Sequence, residues 1–186
     1  MRSGLVWAAV MVVLAAGCRG GGLAVSAASK PATTTGVTCT PAQLRVSAGP
    51  DVSPATGMNP EAVRITNTGP RRLLDGYPAV RFTDPASAAI PFRLSQSGDQ
   101  MVTAHPARRV VVPHGGAAWV VLDTYRCDLG NRVRVGEIEL RLAGEGRIGA
   151  IALDIAGWSY CGPGDPGSTV HVSPFEPRLP AALRQG

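Results

Sequence analysis

Val110-Val111-Val112-Pro113-His114-Gly115-Gly116-Ala117-Ala118-Trp119-Val120-Val121-Leu122 sets two runs rich in β-branched residues around a Pro/Gly turn. Branched side chains suit a pleated strand, and the Pro/Gly centre can continue neither strand nor helix. The stretch therefore predicts a β-hairpin with Trp119 as a core residue of its second arm. The same grammar extends upstream. Gln43–Ala48 reads as a first strand. Glu61–Asn67 alternates, with Val63 and Ile65 on one face and Arg64 and Thr66 on the other, and stops at Asn67-Thr68-Gly69-Pro70. Leu73-Leu74-Asp75-Gly76-Tyr77-Pro78 bends into Ala79–Asp84, where Val80 and Phe82 point inward, and Pro85–Ser97 reads as a surface excursion.

Downstream, Val133 and Val135 are odd-numbered, whereas Ile138, Leu140 and Leu142 are even. Strand faces alternate strictly, so this change of parity needs one inserted residue, and Gly136 is the expected β-bulge. Ile148–Ala156 and Thr169–Ser173 complete the set, and no window carries a helical stripe. The expectation is all-β: an immunoglobulin-like antiparallel β-sandwich of about eight strands over residues 37–176, with a C-terminal tail at 177–186.

The N-terminal side is different in kind. Arg2 precedes an unbroken apolar run from Leu5 to Ala16, too short to span a bilayer as a helix, so residues 1–17 read as a signal peptide. The run ends Leu14-Ala15-Ala16-Gly17-Cys18, which resembles a bacterial lipobox. In that pattern Cys18 becomes the mature N-terminus and carries diacylglycerol, although Ala15 stands where leucine is usual. The alternative is an ordinary signal with Cys18 incidental, which would leave the protein secreted. Residues 18–36, with Gly20-Gly21-Gly22 and Thr33-Thr34-Thr35, read as a flexible tether and a compositional candidate for glycosylation. The expected location is the outer face of the cell membrane, held by the lipid.

Composition narrows the function classes. Apolar residues make up 45% and charged residues 17%, so the chain is globular rather than disordered. The formal net charge is +5, but the basic residues are scattered and aromatics are only 5%. A nucleic-acid surface concentrates Lys/Arg between stacking aromatics, so no nucleic-acid partner is expected.

Apart from Cys18, the cysteines are Cys39, Cys127 and Cys161. Outside the cytoplasm disulfides persist, and Cys127–Cys161 is the favoured bridge because both residues lie at strand ends beside turns. It would close a loop of about 35 residues and contribute roughly 3–4 kcal/mol. Cys39 is then a partly buried thiol or an intermolecular partner.

Motifs for chemistry are weak. Gly162-Pro163-Gly164-Asp165-Pro166-Gly167 spells G-x-G-x-x-G, but its prolines lack N–H donors and a β-patterned segment follows instead of a helix, so it reads as a rigid turn. His105, His114 and His171 are isolated and read as surface residues; no metal and no cofactor are expected. Glu137 and Glu139 share a solvated strand face, and no Gly-x-Ser-x-Gly elbow is present.

Asn67-Thr68-Gly69, Gly76-Tyr77-Pro78, Pro113-His114-Gly115-Gly116-Ala117-Ala118, Tyr125-Arg126-Cys127-Asp128 and Tyr160-Cys161-Gly162, in that order, resemble actinobacterial lipoproteins carrying a domain of unknown function, family 4232. The resemblance runs from about Cys39 to Pro177. It implies an extracytoplasmic β-sandwich without an assigned activity. It also implies a cysteine shortly before the Gly-Tyr-Pro bend, paired with the one near the domain start. Arg71-Arg72-Leu73-Leu74 stands there instead, so Cys39 lacks that partner.

The expected function is a non-catalytic binding or accessory module of the envelope, not an enzyme, with an envelope protein or cell-wall component as partner. Its working surface is expected on loops carrying Asp75, Tyr77 and Asp165. The alternative is an envelope hydrolase, or a metal or small-ligand carrier, with its site at one loop end of the sandwich.

Overall fold

The computed structural model describes residues 36–128, 132–153 and 157–184. The leader, Cys18, Thr33–Thr35 and the tether as far as residue 35 lie outside the described residues. The strands, in chain order, are β1 (Leu44–Ala48), β2 (Glu61–Asn67), β3 (Arg72–Leu74), β4 (Ala79–Thr83), β5 (Ala89–Ile90), β6 (Arg93–Ser95) and β7 (Val110–Val112). There follow β8 (Ala117–Thr124), β9 (Val133–Arg134), β10 (Glu137–Leu142), β11 (Gly146–Ala152), β12 (Ser159–Tyr160), β13 (Thr169–Val172) and a one-turn helix, α1 (Leu179–Ala182).

Two sheets form the body. One has the order β1-β2-β8-β13-β6, antiparallel except for the parallel β13–β6 edge. The other is antiparallel, in the order β11-β10-β4-β5. Their facing side chains make one core: Leu44, Val63, Ile65, Val120, Leu122, Val170 and Val172 from the first sheet, and Phe82, Ile138, Leu140, Ile148 and Ile151 from the second. Trp158, 2% exposed, stacks on Phe82 at 5.9 Å, and Phe92 sets its ring edgewise to Phe82 at 4.8 Å. The fold is an all-β sandwich, as the alternation required. Thirteen strands are present among the described residues rather than about eight. The extra ones, such as β5, β9 and β12, are two residues long, below the length at which alternation is visible in a sequence.

The opening stretch is β on both sides of its turn, yet it is not a hairpin. β8 has β2 on one edge and β13 on the other, so no ladder remains for β7, which pairs with β3 instead. Residues 113–116 form an arch between sheets, with Gly115 at φ +72°. Asn67 fastens this arch. Its Nδ2 donates to the carbonyls of Val112 (3.0 Å) and Pro70 (2.7 Å), its Oδ1 accepts from Gly69 N (2.9 Å), and its backbone exchanges hydrogen bonds with Gly115 and Gly116.

β8 is buried on both faces, which explains why Val120-Val121-Leu122 runs apolar without alternating. Ala118, Val120 and Leu122 face the inter-sheet core, whereas Trp119 and Val121 face outward under Val102, Leu179, Ala182 and Leu183. Trp119 is thus half-buried in an outer layer instead of sitting in the main core. The expected tail supplies that layer. Leu179, Ala182 and Leu183 lie in it, Arg184 N donates to Met101 O at 2.8 Å, and just upstream the buried Glu176 forms a β-bridge with Trp119.

Two other expectations are revised. The supposed excursion at 85–97 adds β5 to one sheet and β6 to the other, and Phe92 between them enters the core. The parity change at Gly136 is real, since Val135 and Ile138 are both fully buried. It is achieved by a strand break, not a bulge: β9 pairs with β12, and β10 with β4 and β11. Val133, expected inward, is 41% exposed. Gly136 fits tightly because a Cβ there would lie 2.8 Å from Pro85 N.

Candidate functional site

Cys127 and Cys161 form the disulfide, their Cα atoms 5.4 Å apart and 34 positions apart in sequence. Behind it the Gly/Pro loop is a rigid turn. Gly162 and Gly164 take φ +94° and +89°, and Asp165 caps the single 3-10 turn Pro166–Ser168 by accepting from Gly167 N at 2.8 Å. Asp165 also accepts from Asp128 N at 3.2 Å and is 2% exposed. It therefore holds the loop together and is withdrawn from any rim where a partner could touch it. Asp75 is exposed and paired with Arg109 at 3.1 Å, and the half-buried Tyr77 reaches Gln96 O at 3.4 Å.

A better candidate lies at the mouth of the sandwich, where the 49–60 loop meets the end of β11 and the Gly157–Trp158 step. An open cavity of about 420 Å³ is lined there by Pro50, Val52, Pro54, Met58, Leu153 and Trp158, with Asp51 and Glu61 as its ionisable groups among the described residues. Glu61 opens β2 in phase with Val63 and Ile65, so its side chain belongs to the inward set and stands at the end of the core. It is 8% exposed, and no described residue gives its carboxylate a hydrogen bond or an ion pair. Burial pushes its carboxyl above the ordinary carboxylate range, and Asp51 adds in the same direction. The alternation of β2 marked Val63 and Ile65 as inward. Extending the same parity two residues back would have found Glu61.

A second buried polar group lies on the outer face of the first sheet. His171 and Asp123 are cross-strand neighbours on β13 and β8, and Asp99, in the loop after β6, lies beside Asp123. Asp99 Oδ1 accepts from Met101 N and Val102 N, both at 2.7 Å. Asp123 is fully buried, and its carboxyl is pushed up to about 8, first by burial, then by the hydrogen bond and charge of Asp99. Both Asp123 oxygens and Asp99 Oδ2 are enclosed without a hydrogen bond from any described donor, a setting in which two neighbouring carboxyls favour keeping one proton between them as a clasp. His171, expected at the surface, is half-buried with its Nδ1 enclosed and unpartnered. Separately, Glu176 is fully buried with Arg108 on its Oε2 at 2.8 Å.

The face bearing Glu137 and Glu139 is a groove of about 570 Å³, also lined by Arg81, Asp84 and Arg134. Its acids are taken up internally: Arg147 lies 3.7 Å from Glu137 and 3.3 Å from Glu139, and Arg141 lies 3.0 Å from Glu139. Among the described residues, no three His, Cys, Asp or Glu side chains are grouped so as to hold a metal ion. Cys39 is the free cysteine among them. It is fully enclosed, and burial raises its thiol to about 11.

A family model described as "Domain of unknown function (DUF4232)" matches residues 39–176. That span starts at Cys39, ends at the buried Glu176, and takes in both sheets and the disulfide. No curated protein and no solved structure matches the chain.

Proposed function

The chain belongs to the DUF4232 family, and on that premise we propose that it is an exported, lipid-anchored cell-envelope protein of the actinobacterial type. It serves there as a non-catalytic binding module. The observation that carries the reading is the loop-end cavity, where a rigid two-sheet frame holds the Glu61 carboxylate, without a partner among the described residues, at the end of a largely apolar recess. Recesses of this size and mixed lining suit a small group inserted from a partner or a free ligand. The leader ending at Cys18 and the Cys127–Cys161 bridge support an extracytoplasmic setting, since disulfides persist where the medium is oxidising. A hydrolase reading would turn to the Asp99–Asp123 pair, but Asp123 is fully buried beneath its loop, out of reach of a substrate.

Two measurements test this together. Palmitate labelling of cells should mark the wild type and fail in Cys18→Ala; equal labelling of both removes the anchor. A photo-crosslinking residue placed at Val52, on the cavity rim, should trap an envelope component in intact cells, whereas one at Arg147 should not. Equal trapping at both positions, or trapping at Arg147 alone, refutes the cavity as the working surface.

A further inference from the structure

We propose that the loop-end cavity is a site for an organic cation, a primary ammonium or guanidinium carried on an apolar stem, with Glu61 as its counter-charge. This deepens the binding-module reading and rests on it. Three features converge on that chemistry. Glu61 is more than nine-tenths buried, lines the cavity, and is without a hydrogen-bond or ion-pair partner among the described residues. A buried carboxylate in that condition is unfavourable unless something compensates it. The lining holds no basic side chain among the described residues, although the chain carries a net charge of +5, so the recess is a local negative site on a positive protein. The rest of the wall is mostly apolar: Pro50, Val52, Pro54 and Met58 accept hydrocarbon, and Asn59 adds a neutral amide.

An anion would meet Glu61 and Asp51 with no opposing charge. A neutral hydrocarbon would leave the carboxylate uncompensated. A cation on a stem of several carbons satisfies both parts of the lining, and a volume of about 420 Å³ admits it. The same chemistry is presented by free amines and by lysine or arginine side chains of a polypeptide. Cation binding favours the ionised carboxylate and must release a proton wherever Glu61 is protonated in the empty protein. Affinity should therefore fall as the pH is lowered, with Asp51 the other titrating group facing the cavity.

The experiment is an NMR titration of the full chain carrying Cys18→Ala, following the Gly49, Met58 and Gly157 amides and the Trp158 indole. Hexylammonium is compared with hexanol, and Nα-acetyl-lysine methylamide separates a side-chain source from a free amine. Hexylammonium should bind saturably at pH 8, about 10- to 100-fold more tightly than hexanol. It should weaken by a similar factor in Glu61→Gln, and its affinity should fall, not rise, as the pH is lowered. Equal binding of hexanol, or undiminished binding to Glu61→Gln, overturns the proposal. Should Glu61→Gln fail to fold, the wild-type Glu61 carboxyl resonance decides: hexylammonium must lower its titration midpoint, and an unmoved midpoint is a refutation. If the Val52 crosslink traps a partner while neither cation binds, the cation assignment falls and the module reading stands. If neither occurs, both fall.

Discussion

Raising the pH from 4 to 8 should weaken this fold through one residue, Asp123. In the folded protein its carboxyl stays protonated to about pH 8, against 3.8 for an ordinary aspartate, because it is enclosed and faces Asp99. Between those values the folded state binds a proton that the unfolded chain has released. Its contribution is therefore full below about pH 4, is lost progressively as pH rises through 8, and is level above that. At ~1.36 kcal/mol per unit, the four units between set a ceiling of about 5 kcal/mol. For a domain of this size that is on the order of 10–15 °C in melting temperature. Sharing of the proton between the two carboxyls makes the titration that of a pair and lowers the yield below that ceiling.

Asp123→Asn isolates the effect. The amide keeps the shape, can donate to Asp99, and does not titrate. Urea unfolding of both proteins at half-unit steps from pH 4 to 9 should give a difference, variant minus wild type, that grows by several kcal/mol toward pH 8 and then stops. Glu61, also raised, moves both proteins alike and cancels in the difference. Parallel profiles would refute the clasp, as would a variant more unstable than wild type at pH 8. Because Arg184 Nη1 donates to the Asp99 carbonyl at 2.7 Å, the loss should be accompanied by hydrogen exchange at 99–103 and 182–184 before the inner strands open.

Other substitutions probe the frame. Asn67→Ala strips the arch of its donors to Val112 and Pro70 and should cost about 2–4 kcal/mol in urea unfolding, leaving the cavity residues' NMR shifts in place. Asp165→Ala removes the cap on Gly167 N and the bond from Asp128 N. It should cost about 1–2 kcal/mol and leave hexylammonium binding unchanged; a binding loss without a stability loss would return Asp165 to the rim. Leu74→Cys should form a second disulfide with Cys39, detectable by non-reducing mass mapping, and the reduced variant should be about 2–4 kcal/mol less stable than wild type.

The sequence disclosed what depends on local periodicity and kept back what depends on neighbours. Alternation in 61–67 placed Val63 and Ile65 correctly, and the parity change located Gly136, because both follow from a two-residue repeat. The partner of β7 could not be read that way. Val110–Val112 and Ala117–Leu122 look like two arms of one hairpin until β2 and β13 are known to occupy both edges of β8. The same blindness hid the cavity and the clasp: Glu61 meets Trp158 and Asp51, and Asp123 meets Asp99, only after distant segments converge.

Cys39 shows how far the two kinds of information can be joined. Resemblance alone said that its usual partner is missing somewhere in 71–74. The structure narrows the place, because Thr38 and Leu73 form a parallel bridge and Cys39 N donates to Leu73 O at 2.9 Å. In a parallel pair the next residues on each chain are again opposite, at about 4.8 Å, so Cys39 faces Leu74. Both are about 1% exposed and lie in the same core cluster, whereas Leu73 lies outside it. Leu74 thus supplies by packing the contact that a bridge would supply covalently. A sulfur at 74 would be within disulfide reach without backbone movement. The roughly 3–4 kcal/mol from closing that loop should offset most of the lost leucine volume once oxidised. Oxidised Leu74→Cys restored to near wild-type stability supports substitution of one tie by another; a reduced thiol pair that resists oxidation refutes the facing arrangement.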